Sequence, residues 1–211
     1  MAEKRRLRLG IFGGTFDPVH IGHLVAAVNT RHALSLDRVL MVVANEPWQK
    51  SAHHEVTPAL DRLAMVEAAV EGVEGVEASA IEIERGGVSY TIDTAEELRD
   101  AYPGAELFLI VGADVALELP TWERVEDLSG LVILAVVNRP GHPRVKSVPG
   151  WQVCPVDIPA IDLSSTEVRE WAAAGRPLDF LVPSPVIRCI RERSLYRESS
   201  SDYSLEQGTA S

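Results

Sequence analysis

The chain has 211 residues, 46% of them hydrophobic and 24% charged, with a formal net charge of −11. That length gives one domain a large core and is short for two, and the acidic balance argues against nucleic acid as a partner, because such binding draws on many Lys/Arg–phosphate contacts. No apolar run is long enough to span a membrane, and the start MAEKRRLRLG lacks the apolar stretch of a secretory signal, so a cytoplasmic protein without membrane partners is expected.

In chain order, LRLGIF (Leu7 to Phe12) reads as a strand, followed by a glycine turn and a helix over IGHLVAAVNTRHAL. RVLMVVA (Arg38 to Ala44) is the second strand. TPALDRLAMVEAAVEG is the next helix, with Thr57 expected at the N-cap and Pro58 at the first helical position. Arg62 and Met65 on that helix are read as scaffold. VEASAIEIE (Val76 to Glu84) alternates polar and apolar residues, as a strand near a sheet edge does. TIDTAEELRDAY is helical in pattern, then ELFLIVG (Glu106 to Gly112) and LVILAVV (Leu131 to Val137) are strands. RPGHPRVKSVPG is a surface connection rich in Pro and Gly. SSTEVREWAAAG and SPVIRCIRERSLYR are the closing helices, and the polar, aperiodic stretch 198–211 is expected to be a disordered tail.

Four of the five strand candidates are nearly continuous apolar runs, which suits strands buried on both faces of a parallel sheet. The expectation is a Rossmann-like, doubly wound α/β fold, with a mainly parallel sheet, helices on both faces and a small C-terminal helical part, in one domain over residues 1–197. Such sheets bind ligands beyond the carboxyl ends of their strands. Cys154 and Cys189 stand outside any metal spacing and are read as reduced core residues.

GGTFDPVHIGHL (Gly13 to Leu24) sits where a ligand would be found. Glycine lets the backbone approach a phosphate, and the start of the following helix offers free N–H groups and the positive end of its dipole. His20 and His23, three residues apart, fall on one face of that helix entrance, where each imidazole can present an N–H to a phosphate oxygen. Asp17 orients backbone N–H groups before Pro18 or meets ligand. A second constellation is DLSSTEVRE (Asp162 to Glu170). Ser164 and Glu167 have capping-box spacing, so a helix starts there. Its serines, Thr166 and its N-terminus also suit an anion, and Arg169 lies one turn inside.

These two elements resemble the (T/H)xGH and SSTxxR signatures of the nucleotidyltransferase α/β-phosphodiesterase superfamily. Class I aminoacyl-tRNA synthetases share the HIGH tetrapeptide but also need a KMSKS-like loop, absent here. Within the superfamily, GIFGGTFDPVHIGHL, NEPWQK, SYTIDT, VGAD, LPTWERV and SSTEVR occur in the order of the bacterial nicotinate-nucleotide adenylyltransferase family, over about residues 7–197. Phosphopantetheine adenylyltransferases share the first and last motifs, are shorter, and lack SYTIDT and TWE. Two departures stand: Leu163 replaces the family's usual Ile, and the NEPWQK loop varies among members, which leaves Lys50 less secure than the histidines.

The resemblance implies transfer of AMP from ATP to nicotinate mononucleotide in NAD synthesis, with Mg²⁺ bridging phosphates and no protein cage for a metal. It implies catalytic roles for His20, His23 and Arg169. Gly13, Gly14, Thr15, Phe16, Gly112, Asp114, Ser164, Ser165 and Thr166 would hold ATP. Asn45, Lys50, Ser89, Thr91 and Trp122 would take the mononucleotide, Trp122 by stacking on the pyridine ring and Thr91 by meeting its carboxylate. Trp122 has packing as its alternative and Thr91 has an N-cap role. Two other readings stay open: preference for the amide, nicotinamide mononucleotide, and a non-catalytic nucleotide-binding regulator. Oligomeric state, a homo-oligomer included, is not encoded in any of these motifs.

Overall fold

The computed structural model describes residues 5–47, 56–138 and 144–197. Its centre is a six-stranded sheet of order β3-β2-β1-β4-β5-β6, every neighbouring pair parallel. The strands are β1 (Arg8–Gly14), β2 (Arg38–Val43), β3 (Val76–Ser79), β4 (Glu106–Gly112), β5 (Val132–Asn138) and β6 (Val153–Asp157). Strand order reverses between β1 and β4, so the crevice at the carboxyl ends opens beside β1. This is the doubly wound, Rossmann-like α/β arrangement expected from the sequence.

The apolar runs divide by alternate residues between two cores, one on each face. Val39, Met41 and Val43 of β2 and Phe108 and Ile110 of β4 face one layer. That layer is formed by α1 (Ile21–Ala33), α2 (Ala59–Val70), α7 (Ser165–Ala173) and α8 (Ser184–Glu192). Leu40 and Val42 of β2, with Leu107, Leu109 and Val111 of β4, face the opposite layer. Its helices are α4 (Thr91–Ala101), α5 (Ala113–Glu118) and α6 (Val125–Leu131). The C-terminal pair α7 and α8 therefore seals the first core, through Val168, Val186, Ile187 and Ile190.

Several sequence expectations are corrected. The run VEASAIEIE is a strand only to Ser79; Ile81–Arg85 forms a short helix, α3, that Gly86 and Gly87 end at φ 74° and 70°. Its alternating half is too short for periodicity to decide. β3 is nevertheless an edge strand. β6 was not anticipated, because VCPVD contains a proline; the strand lies at the other edge, where a missing N–H is tolerated. The segment after β4, read only for its motifs, forms α5, a 3-10 turn over Leu119–Thr121, and α6. The N-cap of α2 is Pro58 rather than Thr57, whose carbonyl is taken by Arg62. The last helix stops at Glu192 because Ser194 and Tyr196 adopt φ 54° and 58° and turn the chain back. Cys154 and Cys189 are free thiols, each half-buried rather than fully inside a core. The stretch 198–211 lies outside the described residues.

Candidate active site

A cavity of about 730 Å³ opens at the carboxyl ends of β1 and β4. One wall begins at the first glycine turn. Phe16 takes a left-handed φ of 50° and sends its ring under Gly14, where a Cβ would meet the ring carbons at 2.9 Å. The turn thus needs a glycine at 14 for its own packing, with the backbone left bare toward the cavity.

His20 is the N-cap of α1, and it forms a reciprocal capping box with His23. The N–H of Gly22 donates to His20 Nδ1 at 3.2 Å, and the N–H of His20 donates to His23 Nδ1 at 3.2 Å. Both Nδ1 atoms are acceptors, so each neutral imidazole carries its proton on Nε2. The rings stack with centroids 3.8 Å apart, and Phe16 meets the His23 ring edge-on at 5.1 Å. A Cβ at Gly22 would lie 3.0 Å from His20 Cε1, tight enough that the imidazole would have to shift. The two histidines therefore fix each other's ring, tautomer and helix start within four residues.

The opposing wall is the start of α7. Ser164 caps it, its Oγ accepting the Glu167 N–H at 3.2 Å while Glu167 accepts the Ser164 N–H at 2.8 Å. The Ser164 hydroxyl also donates to Glu167 Oε2 at 2.7 Å, and it and the Ser164 N–H hold the Glu167 carboxyl below its ordinary value. The two walls are latched together: the Ser165 hydroxyl donates to the Pro18 carbonyl at 2.9 Å, and Arg169 Nη1 donates to the Asp17 carbonyl at 2.7 Å. Arg169 Nη2 also donates to Thr166 Oγ1 at 3.2 Å. Asp17 precedes a cis proline and is 3% exposed; its carboxylate takes the Thr57 N–H at 3.2 Å and the Tyr196 hydroxyl at 2.6 Å. Burial and that carboxylate push the Tyr196 phenol well up from its ordinary value.

Beneath these walls lies Arg62, 1% exposed. It donates to the carbonyls of Thr57 and Thr15, each at 2.7 Å, and of Asn45 at 3.1 Å. One guanidinium thus ties the loops after β1 and β2 to the start of α2. Burial lowers its pKa, and Asp17 opposes that shift.

At the far end of the cavity, Ser89 and Thr91 sit at the start of α4, and Trp122 forms the wall beyond. Thr91 is the first helical residue and not the N-cap. Trp122 Nε1 is buried without a hydrogen-bond acceptor. The Ser89 hydroxyl oxygen accepts the Asn45 N–H at 2.8 Å, and Asn45 Nδ2 donates to the Gly87 carbonyl at 2.9 Å.

Of the residues singled out in the sequence, Gly13, Gly14, Thr15, Phe16, His20, His23, Gly112, Asp114, Ser164, Ser165, Thr166, Arg169, Ser89, Thr91 and Trp122 all line this one cavity. Asn45 does not; it acts behind the wall, through the two bonds just given. Lys50, with Trp48, lies outside the described residues. Phe12, Asp17 and Glu82 also line the cavity. The first two lie inside or beside the glycine motif, whereas Glu82 carried no signal while its segment read as a strand. Among the described residues no group of three or more His, Cys, Asp or Glu is placed to hold a metal ion. No helix among them is long and apolar enough to cross a membrane.

The arrangement suits an anionic ligand. The starts of α1, α4 and α7 converge on one cavity at the sheet's carboxyl edge, with the positive ends of three helix dipoles; the first N–H groups of α1, expected from the sequence to be free, are taken by the Leu181 carbonyl and by His20. Fold and site together define an α/β nucleotidyltransferase-type domain, and a family model described as cytidylyltransferase-like matches residues 11–171. Curated relatives narrow this further. A protein of Corynebacterium kroppenstedtii is 44% identical over 195 residues, covering 91% of this chain and 92% of its own length. One of Saccharopolyspora erythraea is 40% identical over 205 residues, covering 97% and 96%. Both carry the name "Probable nicotinate-nucleotide adenylyltransferase". The chain belongs to the nicotinate-nucleotide adenylyltransferase family. The fold also matches that of Plasmodium falciparum nicotinic acid mononucleotide adenylyltransferase complexed with NaAD, with a TM-score of 0.74 at 16% identity over 90% of this chain and 98% of that one.

Proposed function

We propose that this chain transfers AMP from ATP to nicotinate mononucleotide, releasing pyrophosphate and forming nicotinate adenine dinucleotide for NAD synthesis. The observation that carries the reading is the convergence of three helix starts and two histidines on one cavity, in a chain whose family is adenylyltransferases. A phosphate oxygen of the mononucleotide attacks the α-phosphorus of ATP, and the bond from that phosphorus to the bridging β-oxygen breaks. The attacking phosphate is already ionised, so no general base is needed, and catalysis is positioning and charge stabilisation.

In this reading the Nε2–H groups of His20 and His23 donate to phosphate oxygens and stabilise the charge that develops as pyrophosphate leaves. Arg169 and the start of α7, with Ser164, Ser165 and Thr166, hold the β/γ end. Gly13, Gly14, Thr15 and Phe16 floor the joint cleft, and Gly112 and Asp114 take the adenosine side. Asn45, Lys50, Ser89, Thr91 and Trp122 serve the mononucleotide. A Mg²⁺ ion suits the site as a companion of the triphosphate, its ligands phosphate oxygens and water, where it neutralises charge. The proposed compartment is the cytoplasm, where ATP is supplied.

The test is pyrophosphate release with ATP and Mg²⁺, comparing nicotinate mononucleotide, nicotinamide mononucleotide and phosphopantetheine as acceptors. Strong release with the acid is expected, with far less from the amide and none from phosphopantetheine. Equal release with acid and amide would remove the acid preference. No release with any acceptor, from folded protein, would overturn the reaction.

A further inference from the structure

We propose that Glu82 is the positioning residue of the acceptor end: its carboxylate holds the loop after β2 and the start of α4 at one spacing, and that spacing sets affinity for the mononucleotide. The inference rests on the reading of that end as the nicotinate mononucleotide site.

Glu82 is 7% exposed and lines the cavity. Its Oε1 accepts the Thr94 hydroxyl at 2.7 Å, and Thr94 Oγ1 in turn accepts Arg85 Nη2 at 3.0 Å. Ser89 is the other side chain close enough to favour the ionised carboxyl; its oxygen already accepts the Asn45 N–H, which leaves its one hydroxyl proton to turn toward Glu82. The carboxylate therefore commands two chains of bonds. One runs through Thr94 into α4; the other runs through Ser89 to the residues that follow β2. The second is reinforced by the Ser89 N–H donating to the Glu46 carbonyl at 3.1 Å and by a bridge between Glu46 and Val88. None of these bonds reaches the histidines, the glycine turn or α7.

The choice of a carboxylate is the informative part. A buried negative charge beside a site for an anionic ligand is electrostatically unfavourable for binding. Two hydroxyl donors arriving from different elements, however, are met from separate directions by the two oxygens of a carboxylate, whereas a carboxamide would have to accept both on one oxygen. Geometry at the acceptor end accounts for Glu82 where charge does not.

The experiment is steady-state kinetics on the full chain with each substrate varied in turn. Glu82→Ala is expected to raise KM for nicotinate mononucleotide about tenfold, as loss of a buried hydrogen-bonded anchor does, with KM for ATP unchanged within about twofold. Glu82→Gln, with one acceptor oxygen left, falls between at about threefold, and Thr94→Val, which removes one donor, does the same. Equal changes in both KM values, or an unchanged acceptor KM in folded protein, would overturn the role. Should circular dichroism show Glu82→Ala unfolded, the same split in Glu82→Gln and Thr94→Val decides. Absence of wild-type turnover with the mononucleotide would sink the underlying reading, whereas normal wild-type turnover with unsplit variants sinks only the assignment of Glu82.

Discussion

The two ends of the cavity are built in different ways. At the end assigned to ATP, the parts are local: His20 and His23 settle each other through bonds three residues apart, and Ser164 and Glu167 do the same. At the end assigned to the mononucleotide, the bonds join residues far apart in the chain, Asn45 to Ser89 and Glu82 to Thr94. Local coding sets each half of the phosphate cradle, and only the bonds from Ser165 to Pro18 and from Arg169 to Asp17 join the halves. Long-range coding makes an acceptor end whose parts meet only when the chain has folded.

The sharpest way to break this contrast is Arg62→Met, because Arg62 is bonded to both ends, at the Thr15 and Asn45 carbonyls. The change strands buried carbonyls and removes the counter-charge of Asp17; a loss of about 3–5 kcal/mol is expected, read from urea unfolding. His23→Ala acts on the ATP end alone. Turnover should fall about 10²- to 10³-fold with the fold intact by circular dichroism; an unchanged kcat would remove the histidine from the mechanism. Ser164→Ala removes the cap of α7, at about 1 kcal/mol, seen as a lower Tm.

The smallest effect is a slope with pH at the acceptor end. Burial raises the Glu82 carboxyl above its ordinary 4.5, against the hydrogen bonds from Thr94 and Ser89. A raised folded-state pKa gives stability that is present below the unfolded value and is lost as pH rises through the folded one. Glu82→Gln has no such loss. Its Tm should therefore gain on that of the wild type as pH rises from about 4 upward, and parallel curves would refute the burial argument.

The same contrast explains what was legible in the sequence. The glycine turn, the histidine pair and the SSTEVR cap announce themselves because each is a short-range device with a characteristic spacing. So does the sheet, whose strands are unbroken apolar runs. Arg62 looked like scaffold because its partners, Thr15 and Asn45, are brought to it only by the parallel pairing of β1 and β2. Glu82 was hidden by an alternation that fits a strand and that tertiary packing turns into a helix. β6 was hidden by its proline, which is tolerated because β6 is an edge strand among the described residues. Asn45 is not among the lining residues, and its bonds to Ser89 and Gly87 join distant segments, which no local spacing signals.

The latch at Asp17 and Pro18 has a consequence for how the protein comes into being. These two residues are gripped by Ser165, Arg169 and Tyr196, which leave the ribosome last among the site's parts. At about 5–20 residues per second, that interval is roughly 10–30 s. Throughout it the nascent chain carries only the first wall of the cavity, so the cradle closes only once α7 and Tyr196 have been made.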